Sequence, residues 1–171
     1  MQMIGNHALE SQIDQTTIRR ISPKDDATLA RSIAEKYQAL DVENFAGENA
    51  SLSENYSAER SAYYVMEREA SIVGGAGIAP LENDLSHIAD LQWFVLEPMS
   101  AKIGHGIRLL KHCLQMADRM GYRACYAESF PGDFDYKEIL LLTGFRVFCA
   151  PLLEARTLGC DAIHYFKLGL R

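Results

Sequence analysis

After Pro98 the sequence changes period. Ile103, Ile107, Leu110, Leu114 and Ala117 mark one face of a long helix that stops at Gly121. Strand-like runs flank this helix, from about His87 to Leu96 and from Arg123 to Glu128. A shorter helix follows, capped by Asp133 or Asp135, carrying Ile139, Leu140 and Leu142 and closed by Gly144. Strands are expected again over Phe145 to Ala150 and Ala162 to Leu168. Strand, helix, strand and helix in this order predict an α/β sheet of mixed direction.

Upstream, Met1 to Gln15 are expected to form a flexible tail, with one domain over residues 16–171. Thr17 to Ile21 reads as a short strand. Ser22-Pro23-Lys24-Asp25-Asp26 then turns into a helix with an Asp at its N-cap and with Leu29, Ile33 and Tyr37 on one face. Residues 41–59, rich in Asn, Ser and Glu, predict a loop or broken helix over a binding site. Ser61 to Met66 and Ser71 to Ala79 read as paired strands joined by a turn at Glu67 to Ala70.

Composition narrows the function class. A chain of 171 residues, 48% hydrophobic, suits one compact domain. A net charge of −6 argues against nucleic-acid binding, which needs a basic face, and is compatible with a cationic or amine substrate. Cys113, Cys125, Cys149 and Cys160 include no C-x-x-C pair, so free thiols in a reducing compartment are expected. His87, His105, His112 and His164 form no metal spacing. With no apolar run near the roughly 18 residues that span a membrane, a cytoplasmic protein is expected.

Two glycine clusters invite a phosphate reading. Gly104-His105-Gly106 opens the long helix, where the first turn has N–H groups without helical partners and a positive dipole end. Glycines let a phosphate approach those groups, so a pyrophosphate cradle and an ordinary strand–helix loop both stand as readings. Gly74-Gly75-Ala76-Gly77 does not make a dinucleotide fingerprint, because Pro80 stands where a third glycine should be. These glycines are expected to be strand residues that permit close approach.

The wider context resembles a known core. Asp90-Leu91-Gln92-Trp93-Phe94-Val95-Leu96-Glu97-Pro98, then Gly104-His105-Gly106, then Cys125-Tyr126-Ala127-Glu128, then Thr143-Gly144-Phe145 is similar to the GNAT superfamily of N-acetyltransferases. Pro151, Cys160, Asp161 and Lys167 also fall close to places marked in a bacterial subgroup of that family. The likeness covers roughly residues 16–170.

The resemblance implies a single GNAT-like domain, a mixed, mostly antiparallel sheet of about six or seven strands with about four helices. It implies acetyl-CoA as co-substrate, bound where the sheet splays between its fourth and fifth strands. The pantetheine arm would lie against the main chain of Phe94, Val95 and Leu96. The pyrophosphate would meet the N–H groups of Lys102, Ile103, Gly104, His105, Gly106 and Ile107. The family's motif begins with Gln or Arg, where this chain has Ala101. Lys102 and Arg108 are candidate charges nearby, and the His105 side chain is either a phosphate contact or a plain loop histidine.

Acetyl transfer needs a neutral amine, although a free alkylamine has a pKa of roughly 10. Asp90, fourteen residues before Gly104, is the candidate general base, taking the proton directly or through water. The family's leaving-group tyrosine falls on Leu140, and Tyr136 lies one helical turn earlier. Tyr136 is therefore the candidate acid, beside a thiolate that leaves unaided or through water. The expected activity is direct acetylation of a small amine or amino-acid-like acceptor. A degenerate domain that binds acyl-CoA as a sensor is the alternative. Oligomeric state, a homodimer included, is left open by the sequence.

Overall fold

The computed structural model describes residues 15–40, 51–81, 87–98, 103–148 and 163–170. The expected tail at residues 1–14, the segment 41–50, Ala101, Lys102 and residues 149–162 lie outside them. Seven strands form one sheet: β1 (Thr16–Arg20), β2 (Ala62–Arg68), β3 (Ser71–Pro80), β4 (Ile88–Leu96), β5 (Ala124–Ser129), β6 (Arg146–Val147) and β7 (Ile163–Leu168). The helices are α1 (Asp26–Ala39), the single turn α2 (Leu52–Asn55), α3 (Ile103–Arg119) and α4 (Phe134–Leu142). The sheet order is β1-β2-β3-β4-β5-β7-β6, so the last strand inserts between its two predecessors. Every adjacent pair is antiparallel except β4–β5. No described helix is long and apolar enough to cross a membrane.

Local chemistry explains these elements and corrects several expectations. The turn between β2 and β3 is only Glu69–Ala70, both at positive φ (50° and 63°), and β2 runs on to Arg68. Such a two-residue turn matches the right-handed twist of the strands it joins. Asp25 stands at the N-cap of α1 but does not cap it with its side chain. Its carboxylate instead accepts from the Ser22 N–H (2.8 Å), the Ser22 hydroxyl (2.7 Å) and both terminal nitrogens of Arg19 (2.7 and 2.9 Å). Of the expected strand over Phe145 to Ala150, Arg146–Val147 is strand among the described residues and lies at the exposed sheet edge, while Cys149 and Ala150 lie outside them.

Among the described residues, two of three buried hydrophobic clusters sandwich the sheet. On one face α3 and α4 pack Leu109, Leu110, Ile139 and Leu140 against Met66, Val73, Leu91 and Phe94. On the other, α1 packs Leu29, Ile33 and Tyr37 against Tyr63, Val65 and Val95. The glycines of β3 are close-approach positions, as expected. A Cβ at Gly75 would stand 2.6 Å from the Tyr63 ring, and one at Gly77 2.5 Å from the Tyr56 ring.

Candidate functional site: a split between β4 and β5

A bulge in β4 prepares the site. Gly75 pairs with Val95 and Gly77 with Gln92, so Ala76 alone opposes two residues, Trp93 and Phe94. Trp93 absorbs the extra residue at φ 51°, a region that bulky side chains rarely enter. The bulge inverts the alternation of the strand: Ala89 and Leu91 share a core face with Phe94 and Leu96, while Val95 belongs to the other face. The Tyr63 hydroxyl donates to the Trp93 carbonyl (2.8 Å) and pins this kink.

Beyond the bulge, β4 parts from β5. The parallel pairing covers Ile88↔Ala124 to Leu91↔Ala127 and goes no further. From Gln92 to Leu96 the β5 side of β4 is therefore without a strand neighbour, and β5 continues against β7 instead. Glu97 N–H bonds to Val73 on the β3 side (3.0 Å), so by strand alternation the main-chain groups of Phe94 and Leu96 face the split. The Phe94 carbonyl accepts a hydrogen bond there from Lys36 Nζ (2.8 Å).

The candidate acid and base occupy opposite faces of this split. Tyr136 is buried on the α4 side, its ring stacked on Phe94 with centroids 4.6 Å apart. Burial pushes its phenol well above the usual value, so it stays protonated as a donor must. Asp90, buried on the α1 side, accepts from Gln92 Nε2 (2.6 Å), and Gln92 Oε1 accepts from the Tyr56 hydroxyl (2.6 Å). Leu140, at the family's tyrosine position, is fully buried in the α3/α4 core.

The phosphate-cradle residues fall at the start of α3. By helix geometry the N–H groups of Ile103, Gly104 and His105 lack partners inside the helix, while Gly106 and Ile107 lie further in. The His105 side chain is fully buried, so it faces the interior. Gly106 has a packing duty: a Cβ there would stand 2.3 Å from Ile139 Cδ1 and 3.0 Å from Leu96 Cδ1. Arg108 is engaged with the Thr16 hydroxyl on β1. An open cavity of about 880 Å³ along α3, lined in part by Arg108, Lys111 and Lys167, includes none of the split residues.

The sequence assigns no site role to several groups at the split. Asp90 sits in register with Tyr126, whose hydroxyl donates to Glu128 (2.6 Å) and meets His164 Nδ1. Tyr37 packs edge-on against Trp93 and Phe130. Burial raises its phenol, and the carboxylates of Asp133, Glu128 and Asp90 raise it further. Three carboxylates thus act together on one buried phenol at the cleft. Tyr126 and Glu128 stand in the family-like stretch Cys125-Tyr126-Ala127-Glu128 as alternate residues of one strand. Their link to His164 is not legible there, because it depends on the insertion of β7.

A seven-stranded sheet split after a β4 bulge, with a helix N-terminus beyond it, defines an acyltransferase-like α/β domain. The chain belongs to the GNAT family of N-acetyltransferases. It is 31% identical over 118 residues to an uncharacterized N-acetyltransferase of Escherichia coli (strain K12), YjgM, an alignment spanning 66% of this chain and 71% of that one. No protein-family model matches the chain. A GNAT-family acetyltransferase of Staphylococcus aureus Mu50 shares the fold at a TM-score of 0.76 and 15% identity, over 91% of this chain and 99% of that one. A proposed acetyltransferase from Salmonella typhimurium, solved with its cofactor acetyl-CoA, matches at 0.71 and 17% identity over 92% and 95%. Spermidine N-acetyltransferase from Vibrio cholerae, in complex with CoA and spermine, matches at 0.69 and 15% identity over 91% and 96%.

Proposed function

We propose that this N-acetyltransferase moves the acetyl group of acetyl-CoA directly to the amine of a small acceptor held in the β4–β5 split. The observation that carries the reading is that β4 has no strand neighbour on its β5 side over Gln92 to Leu96 among the described residues. That edge fits the amide-bearing arm of CoA, because the main-chain groups of Phe94 and Leu96 face the split. Phe94, Val95 and Leu96 would hold the arm, and the N–H groups at the start of α3 would hold the pyrophosphate. Bound there, acetyl-CoA supplies an activated acetyl group on a thiolate leaving group.

The chain's own residues then supply proton handling. Asp90 takes the acceptor's proton, directly or through water, and Gln92 and Tyr56 orient its carboxylate. Tyr136, kept protonated by burial, offers a proton to the departing sulfur. Asp90 and Glu128, on the neighbouring strands β4 and β5, favour a cationic acceptor.

Thiol release from acetyl-CoA, measured across a panel of small amines, amino acids and polyamines, tests this reading. Amine-dependent release is the expected result; CoA binding without release for any amine supports the sensor alternative. Calorimetry with CoA on Gly104→Asp tests the cradle, and an affinity unchanged from the parent in a folded variant would place the pyrophosphate elsewhere.

A further inference from the structure

Lys36 projects from α1 into the split. Its ammonium donates to the Phe94 carbonyl at 2.8 Å and pairs with Asp133 Oδ2 at 2.7 Å. It also stands 4.7 Å from the centroid of the Tyr136 ring and 5.7 Å from that of Phe94. One amine is therefore held between the bulged strand and the N-terminus of α4, the two elements that border the cleft. Burial lowers its pKa even though Asp133 acts in the opposite direction, so its neutral form is more accessible than that of a surface lysine. One-fifth of the side chain remains exposed.

These are the requirements of a nucleophilic lysine: desolvation, orientation and a neighbouring proton acceptor. A purely structural strut needs only the ion pair. The second contact sets the nitrogen on the main-chain carbonyl that, on the reading above, borders the thioester arm.

We propose that Lys36 Nζ is itself an acetyl acceptor, so that the domain acetylates itself inside its own cleft. The proposal rests on Phe94 to Leu96 being the edge that holds acetyl-CoA. The ammonium gives a proton to Asp133, which passes it to water. The neutral nitrogen forms a bond to the thioester carbonyl carbon, the carbon–sulfur bond breaks, the nitrogen gives up its second proton through Asp133 to water, and CoA leaves as a thiolate that takes a proton from solvent. The product is acetyl-lysine and free CoA. The new amide carries no charge, so the pairing with Asp133 and both ring contacts of the ammonium are lost. Acetylation would thereby detach α1 from the start of α4.

The test is mass spectrometry of the intact chain and its peptides after incubation with acetyl-CoA, alongside calorimetry with CoA. One acetyl group should accumulate on Lys36 at least about tenfold faster than on the exposed Lys111 and Lys137, as an oriented amine outpaces free ones. The rate per molecule should not change on dilution, and Lys36→Arg should bind CoA yet take up no label at this site. Heat-denatured parent protein, which needs no variant to fold, should lose the preference for Lys36. CoA binding without label on Lys36 overturns the proposal and leaves the acetyltransferase reading standing; absence of CoA binding overturns both. Equal labelling of Lys36, Lys111 and Lys137, or a rate that rises with protein concentration, also overturns it.

Discussion

The rings of Phe94 and Tyr136 lie 17° from parallel at 4.6 Å, joining the bulged strand to the first half of α4. Phe94 thus offers its carbonyl to the split and its side chain to the candidate acid. The stack fixes where the Tyr136 hydroxyl can point, and separates two effects of substitution at this residue. Tyr136→Phe keeps the stack and should fold like the parent while turning over several-fold more slowly, with affinity for CoA unchanged. General acid help is typically 10²–10⁴-fold, about the upper limit here because a thiolate is already a good leaving group. Tyr136→Ala should lose about 3–5 kcal/mol of stability through the cavity it leaves. Steady-state kinetics and urea melts separate the outcomes, and a Phe variant as fast as the parent removes Tyr136 from the chemistry.

Asp90→Asn should preserve the hydrogen bond from Gln92, since the new amide oxygen can still accept. The turnover number should drop by at least about tenfold, most at pH values below the acceptor's pKa, with CoA affinity little changed. Gln92→Leu should show a smaller loss, because it disturbs the orientation of the base and keeps its charge. If the pH–rate profile of Asp90→Asn superimposes on the parent's, another group takes the proton.

Gly106→Ala sets two effects against each other. Alanine favours helix over glycine by about 1 kcal/mol. A methyl 2.3 Å from Ile139 Cδ1 overpacks a buried contact at a cost of about 1–3 kcal/mol. The variant should therefore be less stable by up to about 2 kcal/mol, and the loss should shrink in an Ile139→Val background. A double-mutant cycle by urea denaturation measures this coupling. Additive effects would mean that the two residues do not press on each other.

The Arg19 guanidinium, together with both Ser22 donors, holds the Asp25 carboxyl well below the usual carboxylate range. A depressed folded-state pKa adds stability that is complete above the unfolded value of about 3.9 and fades as pH falls below it. Asp25→Asn should cost about 2 kcal/mol near pH 7. The difference between variant and parent should narrow steadily below about pH 4 as the parent's own carboxylate protonates. Denaturation midpoints across that range check it; a constant difference would assign the effect to shape rather than charge.

The long helix was legible because its apolar face repeats over four turns from Ile103 to Ala117 and Gly121 ends it at φ 88°. Asp90, Tyr136 and the Phe94–Leu96 edge were legible only through the family likeness. The bulge at Trp93 was not, because nothing in Gln92-Trp93-Phe94 announces a positive φ, and the kink is enforced by Tyr63 from another strand. Lys36 reads in sequence as the solvated neighbour of Ile33 and Tyr37; only the position of α1 over the split makes it a cleft residue. Glu128 and His164 meet because β7 pairs with β5, a contact that no local pattern encodes.

The strand order has a consequence for synthesis. β7 is made after both of the strands it separates, β5 and β6. While α4 and β6 emerge from the ribosome, β5 has its β4 partner along four residues and nothing on its other side. At about 5–20 residues per second, that row of unpaired main-chain groups stays open for seconds. The far wall of the cleft closes only as Ile163–Leu168 arrives, so a stalled or clipped nascent chain would carry an unprotected β edge open to pairing with a neighbour.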